Sequence, residues 1–370
     1  MLNAPGSIYW GHCPHCGAAS VIKFGAKSKT VHDLRLFNGG IKRWTVKCTA
    51  HRYLCKQCRK TFTPEEYPSS ILGEKLGAWA VYQNIGLLRS HGSIVEEMRE
   101  LFGYEYPRYI ASQFKSDLAT NYEPAYRQLI DRIRNGYLIH ADETKISLRG
   151  SAGYVWVFTN LEDVAHIYSG TRDGTVVDEM LRNFGGVLVS DFYTAYDSPD
   201  CVQQKCLIHL IRDVNDDLFK NPFDEELKAL AADFKDLLVP IIETVDRYGL
   251  KKRHLDKHRD KVQRFFTKMV SKPFSSEIAR GYQKRFGKYR DKLFTFLKYD
   301  GVPWNNNNAE DAVKRFVFLR RLVEGVSTEE GIKEYLVLLS IRETLRRKNI
   351  SFLEFLLARQ PDLSSFLRGR

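Results

Sequence analysis

Tyr137-Leu-Ile-His-Ala-Asp142 and Val187-Leu-Val-Ser-Asp191 are the stretches whose reading decides the fold. Each is a short apolar run, bounded by turn-prone residues and ending on an aspartate, which is the pattern of a buried strand rather than of a helix. Strands are expected at Gly136 to His140, Tyr154 to Thr159, Val164 to Tyr168, Val187 to Ser190 and Lys205 to Ile208, with a helix at about Val176 to Asn183. Strand, strand, strand, helix, strand, helix is α/β order. In open α/β sheets the ligand crevice lies beyond the carboxyl ends of the strands, so Asp142 and Asp191 are placed to share divalent metals. An aspartate at a strand end more often serves as a turn or cap, and the reading therefore needs a third carboxylate. Glu310 follows the run Trp304-Asn-Asn-Asn-Asn308, whose asparagines are expected to cap a helix starting near Ala309. Two Mg²⁺ (or Mn²⁺) ions held about 3.5–4 Å apart by such a set would support an in-line phosphoryl displacement.

Adjacent acids divide by geometry. Successive side chains on a strand point to opposite faces, so Asp142 and Glu143 are not expected to serve the same metals. Glu310 and Asp311 diverge by about 100° on a helix, while Lys314 lies one turn after Glu310 and is a candidate phosphate ligand.

Upstream, Cys13-Pro-His-Cys16 and Cys55-Lys-Gln-Cys58 are two C-x-x-C turns, the ligand set of a tetrahedral structural Zn²⁺ site. The intervening segment is longer than the commonest ribbon spacing, and a longer hairpin is expected to span it, with β-rich pieces at Val21 to Phe24 and Ile41 to Cys48. Four reduced cysteines packing a small core is the alternative, and Cys48, His12, His15 and His51 are possible substitute ligands. A segment of about 60 residues buries little apolar surface, which makes a metal physically useful there. Residues 1–63 carry eleven Lys or Arg against the single acid Asp33. Lys42, Arg43, Arg52, Lys56, Arg59 and Lys60 are its candidate DNA contacts. From Ser69 the pattern turns helical: Ile71 to Leu88, Ser93 (as a cap) to Phe102 and Pro107 to about Ala119, with a turn at His91-Gly92, have the size of a helix-turn-helix.

Downstream, about His209 to Tyr299 reads as helical, and Arg247 to Lys292 holds sixteen Lys or Arg against four acids. The tail is helical at Ala309 to Leu322 and Thr328 to Leu345. The net charge of +12 suits a polyanionic partner. No run approaches the roughly 18 apolar residues of a membrane span, and Met1 to Gly11 lacks a signal core, so a cytoplasmic protein is expected, with no membrane partner.

Together, His140-Ala-Asp142-Glu-Thr144, Gly153-Tyr-Val-Trp156, Thr171-Arg172, Ser190-Asp191-Phe-Tyr193-Thr-Ala-Tyr196, Cys206-Leu-Ile-His209, Asn307-Asn-Ala-Glu310, Glu343-Thr344 and Asn349 resemble the insertion sequence 66 family of DDE transposases, over about residues 136–357. The resemblance implies a ribonuclease H-like core, a catalytic triad of Asp142, Asp191 and Glu310, cleavage at the terminal inverted repeats of a mobile element, and transfer to target DNA. It also implies a prokaryotic, nucleoid-associated protein, that Arg172 lies near the DNA, that an insertion within the core contacts transposon ends or a partner subunit, and that the protein works as a homo-oligomer on DNA. The chain departs from the family pattern at Asp311, where a basic residue is usual, and at Leu207-Ile208 between Cys206 and His209. Cys206 and His209 are expected to be structural, pinning a strand to the next helix, because two further zinc ligands are not evident nearby.

The expected architecture is a multidomain α/β protein: a zinc ribbon at 1–66, a helix-turn-helix region at 67–134, a ribonuclease H-like mixed sheet at 135–208 and 304–370, and a basic helical insertion at 209–303. A nuclease without strand transfer and a non-catalytic DNA-binding regulator are the rival readings.

Overall fold

The computed structural model describes residues 11–37, 39–64 and 67–369. The expected boundary at residue 66 and most of the segment Met1 to Gly11 lie outside them. The chain divides into two compact units, Met1–Asn121 with Ser351–Pro361, and Tyr122–Ile350 with Asp362–Arg370.

The first unit opens on an antiparallel sheet of β1 (Val21–Phe37), β2 (Gly40–Cys55) and β3 (Thr61–Phe62). The short pieces expected here are one long hairpin, paired from Val21 opposite Cys55 to Phe37 opposite Gly40. Its register shifts between Lys23 and Ala26, where Gly25 supplies the positive φ of 103°. Three helices follow: α1 (Glu74–Val81), continued by a π-turn Tyr82–Gly86, α2 (His91–Phe102) and α3 (Tyr109–Arg134). Asp33, the lone acid of the basic segment, reaches from β1 to accept the Leu76 N–H at 2.8 Å and so caps α1 from outside its own helix. The cap of α2 is Ser90, which accepts the Ser93 N–H at 3.1 Å, so His91 and Gly92 belong to the helix rather than to a turn. Gly103, at φ 60°, ends it. The third helix runs to Arg134, well beyond the expected Ala119, despite Pro124 inside it. The unit boundary falls within α3. Tyr122, Leu129 and Ile133 on its second half are fully buried, and this apolar face rewards continuing the helix.

The second unit is built on β4 (Leu138–Leu148), β5 (Ser151–Thr159), β6 (Val164–Ser169), β7 (Val187–Ser190) and β8 (Val202–Lys205), with α4 (Thr175–Met180) before β7. Strand order is β6-β5-β4-β7-β8. β4, β5 and β6 are antiparallel, whereas β7 lies parallel to β4 and β8 parallel to β7. Gly186 precedes β7 because a Cβ there would stand 2.4 Å from the Tyr137 carbonyl oxygen. Two expectations shift. β4 does not stop at Asp142 but continues to Leu148 against β5, and the last strand ends at Lys205, before the helix α5 (Leu207–Lys220) that replaces the expected strand to Ile208.

Alternation sorts the sheet's two faces. Ile139, Ala141, Trp156, Phe158 and Leu188 pack with Ile133 of α3 and Val177 and Met180 of α4. On the other face Leu138, Val187 and Val189 pack with Leu207 and Leu210 of α5. That core continues into the helical segment α6 (Glu225–Tyr248), α7 (Lys252–Leu255), α8 (Arg259–Ser271), α9 (Glu277–Lys288) and α10 (Arg290–Leu293). The same sheet face carries α11 (Asn307–Val323), whose Ala312 meets Val157 and Val164, and α12 (Glu329–Arg347), whose Ser340 and Thr344 hydroxyls accept the N–H groups of His166 and Val164. Of the last two helices, α13 (Phe352–Ala358) belongs to the first unit and α14 (Leu363–Arg368) to the second. Among the described residues, no helix is long and apolar enough to cross a membrane.

Candidate active site

Asp142 sits where β4 parts from β7. The parallel pairing of the two strands runs from Leu138 opposite Val187 to His140 opposite Val189. Two residues further along each chain stand Asp142 and Asp191. Both share parity with Leu138 and Val189, so both belong to the sheet face that carries α5 and α11. One oxygen of each carboxylate is already engaged: Asp142 Oδ1 accepts the Glu143 N–H at 2.8 Å, and Asp191 Oδ1 accepts the Tyr193 N–H at 2.9 Å. Among the described residues, no hydrogen bond to the second oxygen of either is seen.

Burial, and then the negative charges of Glu143, Asp191 and Glu310, push the Asp142 carboxyl up from 3.8 to about 7. A carboxylate held in so anionic a setting is short of a cation, and all-oxygen donors are of the chemical kind that suits Mg²⁺ or Mn²⁺.

Glu143 points the other way, as alternation requires. Its carboxylate, nearly inaccessible, pairs with Arg172 and accepts from the Tyr196 hydroxyl. The Arg172 guanidinium lies 3.9 Å from the centre of the Tyr193 ring, and its side chain stays 44% exposed. Asp311 likewise turns to basic neighbours, Arg346 at 3.0 Å and Arg315 at 3.8 Å.

Glu310 is held one turn into α11 by a residue that periodicity does not single out. Asn306 stands at the N-cap of α11, yet its side chain makes no capping bond. Fully buried, it spends its amide on β4: Nδ2 donates to the Ala141 carbonyl at 2.8 Å, and Oδ1 meets His140 Nδ1 at 3.1 Å. Its backbone N–H donates to Cys206 Sγ at 3.2 Å, and its carbonyl accepts the Glu310 N–H at 3.1 Å. One asparagine thereby ties β4, the start of α5 and the start of α11. The run of four asparagines was the available signal, but only tertiary packing says which one is spent on the sheet.

The Glu310 carboxylate faces α5, with His209 Nδ1 at 3.9 Å and Arg212 at 3.7 Å. Cys206, His209 and Glu310 bring one donor atom each within 4.8 Å of one another. Asp142, Asp191 and Glu310 are not gathered that closely. Lys314 is exposed one turn further along α11. Sequence reasoning also missed Lys205, a fully buried lysine whose Nζ lies 3.0 Å from Asp197 and 3.2 Å from Ser190 Oγ, next to Asp191 in sequence. Burial pushes its pKa down, opposed by Asp197.

In the first unit, Cys13, Cys16, Cys55 and Cys58 form the other close donor group. The Cys13–Cys58 and Cys16–Cys55 sulfurs are 3.6 Å apart. A tetrahedron with Zn–S bonds of about 2.3 Å has edges of about 3.8 Å, so the four thiols fit one zinc ion. The thiols share their protons unequally: the backbone N–H of Cys58 leads the groups that pull Cys55 down to about 7, while Cys16, against the backbone N–H of Ala18, is pushed up to about 12 by desolvation and hydrogen bonds to the other three sulfurs, and it is the spacing of the sulfurs that favours a metal. Of the alternative ligands, Cys48 pairs opposite Lys29 and His51 opposite Ala26 in the hairpin, and neither they nor His12 or His15 join the close donor group. Lys42, Arg43, Lys56, Arg59 and Lys60 are exposed and Arg52 half-buried, with Lys42 over Phe37, Arg43 over Tyr104 and Arg52 over Phe24 at 4.8–5.6 Å from the ring centres.

A mixed five-stranded sheet with this order, flanked by helices and bearing one carboxylate within β4 just past its pairing with β7 and another just after β7 ends, is compatible with the ribonuclease H-like class. No curated protein matches the chain. The family model for the IS66 family of transposases matches residues 69–334, and the chain belongs to that family. The match begins earlier than the resemblance at 136–357, taking in α1 to α3, and ends within α12.

Proposed function

We propose that the protein is a DNA transposase that binds the terminal inverted repeats of its element, cleaves there, and joins the freed 3′ ends to target DNA. Asp142, Asp191 and Glu310 are its catalytic residues. The observation that carries this reading is that Asp142 and Asp191 stand two residues beyond the last paired positions of the neighbouring parallel strands β4 and β7, on one sheet face, with Glu310 presented to the same face by α11. Asp142 and Asp191 would hold both divalent ions and Glu310 would complete one sphere; Mg²⁺ or Mn²⁺ bound there supplies activation of the attacking oxygen and charge stabilisation at the leaving one.

The chain's own groups do the positioning. Backbone N–H groups fix the rotamers of Asp142 and Asp191, and Asn306 sets where α11 begins. Arg172, steadied by Glu143 and stacked on Tyr193, and Lys314, one turn after Glu310, hold phosphates of the DNA. The four-cysteine cluster carries structural zinc and shapes a basic surface for end binding, with Lys42, Arg43, Arg52, Lys56, Arg59 and Lys60 as its contacts. Synapsis of two ends calls for a homo-oligomer on DNA.

The test uses labelled end DNA and a supercoiled target with Mg²⁺. Joined product is expected. Cleavage without joining would reduce the protein to a ribonuclease H-like nuclease, and binding without either would leave a DNA-binding regulator.

A further inference from the structure

Cys206 is the N-cap of α5 and His209 its third helical residue, positions whose side chains are neighbours at a helix start. The Asn306 N–H bond to Cys206 Sγ brings the start of α11 against them, so Glu310 arrives beside His209. Three different donors, a thiol, an imidazole and a carboxylate, then lie within 4.8 Å of one another. Among the described residues, His209 Nδ1 and Glu310 Oε1 are both shielded from solvent without a hydrogen-bond partner. At 3.9 Å apart they are too distant to bond each other. Two ligands of one tetrahedral ion, with bonds of about 2.1 Å, are separated by about 3.4 Å, so a shift of about half an ångström would seat both.

We propose that Cys206, His209 and Glu310 form a second metal site, suited to zinc-like ions rather than magnesium, and that an ion bound there withholds Glu310 from the two aspartates. A thiolate and an imidazole select borderline, softer ions, whereas Mg²⁺ prefers oxygen alone. One thiolate and one carboxylate neutralise a divalent cation, and binding releases the Cys206 proton. Three protein ligands leave a fourth position open. Arg212, the cation now facing Glu310, is 57% exposed on its side chain and is free to swing into solvent. The two sites compete for one residue, so zinc at this one opposes magnesium-dependent chemistry at the other. That second half rests on Glu310 being catalytic; the metal site itself does not.

Cobalt is the probe, added to the full-length protein with zinc already in its four-cysteine cluster. One further equivalent of Co²⁺ is expected to give tetrahedral visible bands and a thiolate-to-cobalt charge-transfer band. Cys206→Ser should abolish the charge-transfer band. His209→Gln and Glu310→Gln should each weaken Co²⁺ binding by more than the roughly 10–100-fold that loss of an outer-shell partner costs. Cys201→Ser should change nothing. If Cys206→Ser fails to fold, as circular dichroism would report, His209→Gln decides. Absence of the charge-transfer band, its survival in folded Cys206→Ser, or unchanged affinity in Glu310→Gln would each overturn the site. In the cleavage assay zinc should inhibit the wild-type protein, and the midpoint, relative to each protein's own activity, should rise at least about tenfold in His209→Gln. Cleavage untouched by zinc at concentrations that displace cobalt would overturn the competition. A protein that never cleaves would sink the transposase reading and leave the cobalt result standing.

Discussion

At the scale of the residue, the two neighbouring pairs of acids are told apart by where their oxygens go. Glu143 is spent on Arg172 and Tyr196, and Asp311 on Arg346 and Arg315, an exposed cluster in which a pair contributes about 0–1 kcal/mol. Asp142→Ala, Asp191→Ala and Glu310→Gln should therefore each abolish Mg²⁺-dependent cleavage while leaving end binding largely intact, whereas Asp311→Asn should keep substantial activity. Cleavage of labelled ends beside a gel shift on the same DNA checks this, and an active Glu310→Gln protein would remove Glu310 from the triad. Asp142 also makes a pH prediction. Its folded pKa is raised from 3.8 to about 7, so the stability it contributes is complete below about 4 and is lost as pH rises through 7. Bound Mg²⁺ favours the ionised carboxylate, so the rise in Tm on adding Mg²⁺ should grow between pH 5 and pH 7 and then level. His140 and His166 are pushed down to about 4, chiefly by burial, and gain stability over part of that range, but they cancel in the comparison with and without Mg²⁺. A Tm increment independent of pH would mean that Asp142 does not meet the metal.

At the scale of the element, the position of α11 depends on one side chain. The run of asparagines is expected from sequence to cap this helix, and Asn306, which stands at the N-cap, acts as a bracket to β4 instead. Asn306→Ala would strand His140 Nδ1 and the Ala141 carbonyl in a buried setting, at about 1–3 kcal/mol for each group left unpaired. Urea unfolding should show that loss, and cleavage in the still-folded fraction should fall because Glu310 is no longer presented at a fixed place. Full activity in folded Asn306→Ala would show that the rest of α11 is held well enough by Ala312 and Phe316.

At the scale of the whole molecule, the proposed function assigns binding to the basic first segment and chemistry to the carboxylate site. Reversing Lys42, Arg43 and Lys60 to Glu together should weaken end binding at every sequence and flatten its salt dependence, by about 0.9 in the log–log slope for each phosphate no longer neutralised. Binding titrations between low and moderate salt measure this, and an unchanged slope would move the DNA-binding surface elsewhere. Metal analysis of protein purified without added zinc should find one ion per chain with Zn–S distances of about 2.3 Å, absent from Cys55→Ser. A folded, DNA-binding protein without zinc would return the four cysteines to a packing role.

Much of this was legible in the residues themselves. Two C-x-x-C turns announce a four-thiol cluster whatever the hairpin between them does, because each knuckle is a local geometry. The split between Asp142 and Glu143 follows from the two-residue period of any strand, and Asp142 and Asp191 stood out because each ends a short apolar run. What tertiary structure alone decided lies between elements far apart in sequence. Asn306 meets His140 across 166 positions. β4 runs on to Leu148 because β5 pairs with it, and α3 runs on to Arg134 as its second half is buried in the second unit. Glu310 turns to Cys206 and His209 because the start of α11 is tied to the start of α5. Periodicity and spacing report the face a residue occupies on its own element, and the partner waiting on that face is set by packing that no local window of sequence contains.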